Sequence, residues 1–129
     1  MNPARRIFAL AFLVAGVFLF ANPSTAAQNR DGIAVIIGNK TYQGRVPAVD
    51  FAHNDADAMK RYVVEGLGYR AGNIIDLSDA TKAKIEAVFG TKDTHKGRLF
   101  NWVRAGRSDV VVFYSGHGVP GLQDRRGYL

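Results

Sequence analysis

Two stretches of the chain are apolar without polar interruption. The first is Ile33-Ala34-Val35-Ile36-Ile37 and the second Val110-Val111-Val112-Phe113-Tyr114. Neither alternates as a half-buried strand would, and both are rich in β-branched or aromatic residues, so each predicts a strand buried on both faces. Between them, Ile74-Ile75-Asp76-Leu77 predicts a shorter strand. Ala52, Ala56, Met59, Val63 and Leu67 recur at spacings of three and four, which places them on one face of a helix. Asp57 and Arg61 are expected to pair on its wet side, and Gly66 and Gly68 mark its end. Asp79 or Thr81 can cap a second helix carrying Ile85, Val88 and Phe89 and closed by Gly90. A third helix is expected from near Lys96 to Ala105, with Leu99, Trp102 and Val103 as its apolar face. The segment from Gly118 to Gly127 reads as polar and turn-rich, and Tyr128-Leu129 as the opening of a new strand.

Strands alternating with helices predict an α/β layered fold with a parallel sheet and right-handed crossovers. If the chain winds both ways from the first strand, the ends of the first and third strands lie together. Gly38 and His117 then border one crevice beyond the carboxyl ends of the strands. The third strand is the most apolar, which suits the middle of a sheet. As an outer strand it would leave an unguarded edge. The chain is therefore expected to be the N-terminal part of a larger domain, incomplete at its C-terminus. The alternative is a three-stranded unit whose third strand a partner covers.

The first residues read as an address. Arg5-Arg6 precede an apolar stretch from Ile7 to Ala21, Asn22-Pro23 break it, and Ser24-Thr25-Ala26-Ala27 offer small residues for cleavage. That is the layout of a secretory signal peptide, and the apolar stretch is shorter than the ~20 residues a bilayer crossing needs. Residues 1–27 are read as the signal and 28–129 as one domain, periplasmic or secreted. An uncleaved membrane anchor is the other reading. The net charge of +6 is scattered, with no basic stripe interleaved with aromatic residues, so no nucleic-acid partner is expected. The 129 residues contain no cysteine, which excludes disulfides, cysteine-bound metals and thiol catalysis by this polypeptide.

Candidate chemistry gathers at Tyr114-Ser115-Gly116-His117-Gly118. A histidine stopping a buried strand between two glycines can exchange protons near neutral pH. The Gly118 N–H, with no side chain in its way, can donate to an oxyanion. Capping a turn is the plainer role for such a histidine. Gly38-Asn39-Lys40-Thr41 lacks the glycine spacing of a phosphate loop. His53, His95 and His117 lack metal-ligand spacing. No Gly-x-Ser-x-Gly elbow is present. No metal or other cofactor is called for, and His53 and His95 read as surface residues.

These segments together resemble the N-terminal part of the caspase-like cysteine peptidases, in particular the bacterial branch near metacaspases. Gly32 to Gly38 is similar to the family's first strand. His53-Asn54-Asp55-Ala56-Asp57-Ala58-Met59 with Leu67-Gly68-Tyr69 is similar to its first helix and exit, and Tyr114 to Gly118 to its catalytic-histidine motif. The resemblance covers nearly all of residues 31–129. It implies a three-layer α/β/α fold and proteolysis of peptide or protein substrates, with His117 as the catalytic histidine and Gly118 as the oxyanion donor. It implies that Asp55 and Ser115 line the pocket for a basic side chain before the cut bond, which suits arginine or lysine. No arginine matches the pocket that caspases use for aspartate. Asp55 can equally be a helix-start acid, and Ser115 a group that satisfies the strand-end backbone. The family's nucleophile is a cysteine about 50 residues beyond the histidine, which lies past Leu129. The implied activity is therefore that of a cysteine endopeptidase that the chain as written cannot perform. A non-catalytic peptide- or protein-binding module is the rival reading.

Overall fold

The structure is a computed structural model and describes residues 28–121 and 126–128. The expected signal peptide, Leu129 and most of the turn after Gly121 lie outside the described residues. The order is β1 (Ile33–Gly38), α1 (Ala52–Arg61), β2 (Ile74–Ser78), α2 (Lys82–Phe89), α3 (Arg98–Trp102), β3 (Val110–Ser115), β4 (Val119–Pro120) and β5 (Gly127–Tyr128). A single wide helical turn, Tyr62–Gly66, extends α1, and a short 3-10 turn at Ala71–Asn73 leads into β2.

Strands β1, β2 and β3 form one parallel sheet in the order β2-β1-β3. The uninterrupted apolar pattern of β1 is explained by this central place. All six of its residues are buried, and Ala34, Val35 and Ile36 are fully so. Each large side chain buried there contributes about 1.5–3 kcal/mol before entropy is charged against it. Alternation along β1 feeds two cores. Ala34 and Ile36 meet Ala56, Val63 and Tyr69 on the α1 side, while Val35 and Ile37 meet Ile75 and Val88 on the α2 side. The result is three layers, with α1 on one face of the sheet and α2 with α3 on the other.

The pattern of β3 is the same but its place is not. Among the described residues it is an edge strand, and Val110 and Val112 are 40% and 53% exposed. The inner face of β3 packs Val111 and Phe113 toward α1, and Tyr114 reaches the α2 core. The helices of the second layer leave Val110 and Val112 uncovered, so burial on both faces holds for β1 and fails for β3.

Other local expectations are changed or resolved. Asp57 pairs with Lys60 at 3.1 Å rather than with Arg61, because Lys60 bridges on to Asp76 at 2.5 Å and so ties α1 to β2. These two carboxylates, Asp76 first, hold the Lys60 ammonium above its usual range. Helix α3 has five residues, not ten, and its Trp102 and Val103 are 38% and 37% exposed. The N-cap of α2 is Thr81, whose Oγ1 accepts from the Lys84 N–H, leaving Asp79 free for another task. A strand is expected to open at Tyr128-Leu129; the described strand is Gly127–Tyr128, which pairs antiparallel with β4 in a separate ribbon. Among the described residues, no helix is long and apolar enough to cross a membrane.

Candidate active site

Winding both ways from β1 brings the carboxyl ends of β1 and β3 side by side. Gly38 is in register with Ser115, and the Asn39 N–H donates to the Ser115 carbonyl at 2.8 Å. The chain must turn sharply at both ends, and the residues that follow β1 and β3 meet above the sheet. His117 stands there, half-buried.

The segment after β1 returns on itself and is closed where the Val49 N–H donates to the Lys40 carbonyl at 3.0 Å. It delivers two groups to His117. The Pro47 carbonyl lies 2.8 Å from His117 Nε2. The Tyr42 hydroxyl accepts from the His117 N–H at 2.7 Å, and the two rings sit 4.9 Å apart, tilted by 51°. From β3, the Tyr114 hydroxyl donates to the His117 carbonyl at 2.8 Å. The two tyrosine hydroxyls are 3.5 Å apart. Burial, reinforced by Tyr42, pushes the Tyr114 phenol up to about 12, so it stays a protonated donor at neutral pH. The backbone of His117 is thus gripped at both its N–H and its carbonyl.

Gly116 leaves room for this grip. A Cβ at that position would come within 2.6 Å of both tyrosine hydroxyls. The groups that come close to this glycine are side-chain oxygens, not backbone.

The Pro47 contact decides the tautomer of the ring. A carbonyl oxygen can only accept, so Nε2 carries the proton in the neutral imidazole. Nδ1 is then the unprotonated nitrogen, a base with no partner among the described residues. Gly118 follows directly; the residue is exposed, and its N–H has no acceptor among the described residues.

The loop itself is pinned by Asp79. This is the only described residue other than glycine with a left-handed backbone, φ 47°, where the chain leaves β2. Its carboxylate accepts from the Lys40 and Thr41 N–H groups at 2.8 and 2.9 Å and from His53 Nε2 at 3.1 Å. The Thr41 N–H first, then the Lys40 N–H and His53, bring its carboxyl down to about 2 from 3.8. A depressed folded-state value means that ionisation favours the fold. This contribution is complete above about pH 4 and is lost as pH falls toward 2. Acid titration followed at the Tyr42 and His117 amide NMR signals should therefore show the loop letting go below about pH 3. In Asp79→Asn the change between pH 4 and 2 should flatten, with the loop already loosened at neutral pH.

Asp55 and Ser115, assigned by resemblance to one pocket, are brought together. The Ser115 hydroxyl donates to Asp55 Oδ2 at 2.8 Å, joining the exposed first turn of α1 to the end of β3. Asp55 also occupies the helix-start position where its charge favours the helix dipole. His53 is not an idle surface residue, since it braces Asp79. His95 stacks edge-on against Phe100 at 4.8 Å, away from this site. Tyr42, Pro47 and Asp79 were not anticipated at the site. The available signal was an aromatic residue, Tyr42, in the loop four positions after the end of a buried strand.

The family described as "Caspase domain" matches residues 31–128. No curated protein and no solved structure matches the chain. The family match spans every described strand and helix together with the strand-end histidine. The chain belongs to the caspase-domain family of peptidases.

Proposed function

We propose that this chain is the histidine-bearing part of an exported cysteine endopeptidase domain of the bacterial, metacaspase-like branch, cutting peptide bonds after arginine or lysine. The observation that carries the reading is the Pro47 contact, which leaves His117 Nδ1 free to act as base. The thiol comes from polypeptide other than these 129 residues, which contain no cysteine.

In this mechanism Nδ1 takes the thiol proton and the thiolate attacks the substrate carbonyl carbon. The carbonyl π-electrons move to oxygen, where the Gly118 N–H donates to the developing charge. Collapse of the tetrahedral species breaks the C–N bond. The imidazolium returns its proton to the leaving amine, and water then hydrolyses the thioester. The exposed Asp55 carboxylate, steadied by Ser115, offers an anion to a basic substrate side chain.

The second reading is a binding module that holds peptides without cutting them. Fluorogenic peptides separate the two. The 129-residue chain should leave arginyl, lysyl and aspartyl substrates intact. A longer product of the same reading frame, with a cysteine about 50 residues past His117, should cut the basic ones. A binding module would cut none in either form.

A further inference from the structure

The opposite end of the sheet carries a second concave site, built from arginines. Asp31 precedes β1, and its carboxylate, 20% exposed, holds two guanidinium groups side by side. Arg104 Nη1 donates to Oδ1 and Arg107 Nη2 to Oδ2, each at 2.9 Å. Both arginines come from the turn between α3 and β3, where the Arg107 N–H donates to the Arg104 carbonyl. Arg104 and Arg107 are 67% and 66% exposed, so most of their donors still face solvent.

Two further arginines converge on the same place. Arg30 and Arg70 line a cavity of about 310 Å³ with Arg104, Asn101, Ser108 and Trp102. An adjoining cleft of about 700 Å³ shares Arg30, Arg70 and Arg104 and adds Arg107. Among the described residues, neither Arg30 nor Arg70 has a carboxylate partner; Arg30 Nε donates only to the Gln28 side chain at 2.9 Å. Asp109, the other carboxylate at this end, accepts from Asn29. Four guanidinium groups thus surround Asp31, the one carboxylate that lines either hollow.

Like charges gathered this way repel unless an anion sits between them, and the planar fork of arginine matches phosphate and carboxylate oxygens. The smaller cavity has roughly ten water volumes, room for a short chain of tetrahedral anions but not for a folded partner. Its amide and hydroxyl lining adds neutral polar groups.

We propose that this arginine-lined cavity binds a compact multivalent oxyanion, an oligophosphate or a polycarboxylate, at the end of the sheet remote from His117. Arg30 and Arg70 supply the uncompensated charge. Asp31 acts as a template that sets Arg104 and Arg107 in place rather than as a competitor for the ligand. The site does not depend on the peptidase reading, because none of its residues touches the His117 cluster.

Trp102 lines the cavity and is the chain's single tryptophan, so its fluorescence reports on occupancy. The chain is titrated with inorganic tripolyphosphate, citrate and acetate, with calorimetry in parallel. Saturable one-to-one binding of tripolyphosphate or citrate, with acetate inert, is expected, and the tighter of the two identifies the oxyanion source. Arg30→Ala with Arg70→Ala leaves the Asp31 pairs intact and should weaken binding about tenfold or more. Lys84→Ala with Lys92→Ala removes the same charge outside both cavities and should change affinity by less than about threefold. Absence of saturable binding, or equal weakening by both double variants, overturns the proposal.

Discussion

Replacing His117 by alanine in a form of the domain that carries the nucleophilic cysteine should lower kcat/KM for an arginyl peptide about a thousandfold. That factor corresponds to about 4 kcal/mol of lost transition-state stabilisation. On the proposed mechanism the loss should fall on kcat, because there the imidazole moves a proton and does not hold the substrate. The backbone grip makes the substitution clean. Tyr42 and Tyr114 bond the His117 N–H and carbonyl, which alanine retains. The variant should therefore fold with the loop in place, and activity that survives would show that His117 is not the base.

The second large effect is expected at Asp55. Asparagine at this position keeps an acceptor for the Ser115 hydroxyl and removes only the charge. A hydrogen bond to a charged group is worth about 1.5–3 kcal/mol. Asp55→Asn should thus cut kcat/KM for arginyl and lysyl peptides by roughly tenfold to a hundredfold. Peptides with a neutral side chain before the cut bond should be processed as before. If Asp55 serves only the start of α1, all substrates should be affected alike and weakly, because a helix-end charge contributes about 0.3–1 kcal/mol. Steady-state kinetics on matched arginyl and norleucyl substrates read the difference.

Much of the architecture was visible in the apolar pattern, because burial acts on it directly. The unbroken run at Ile33–Ile37 became the fully buried central strand, and the three-and-four spacing from Ala52 became α1. The order of elements implied that Gly38 and the end of β3 meet, as their register shows. What local pattern does not carry is the place of a strand in the sheet. Ile33–Ile37 and Val110–Tyr114 look alike, yet among the described residues only the first has a neighbour on each side. Helix α3 was overextended for a similar reason. Trp102 and Val103 are apolar, but the chain turns away at Val103 and leaves them half in water.

The site divides in the same way. His117 and Gly118 could be singled out as candidates from a strand that stops at glycine. Their supports did not, because each reaches across the fold. Tyr42 and Pro47 lie 75 and 70 positions before the histidine they hold. His53 lies 26 positions before Asp79. Asp79 was weighed only as a helix cap, since its hydrogen bonds to a loop 38 and 39 positions earlier have no local trace.

The account turns on which ring nitrogen of His117 is bare. Nitrogen-15 NMR of the labelled chain, at a pH where the ring is neutral, measures this without need of a nucleophile. The Pro47 carbonyl requires the proton on Nε2 and an unprotonated Nδ1. A ring protonated on Nδ1 would leave no base to meet a thiol there and would contradict the mechanism.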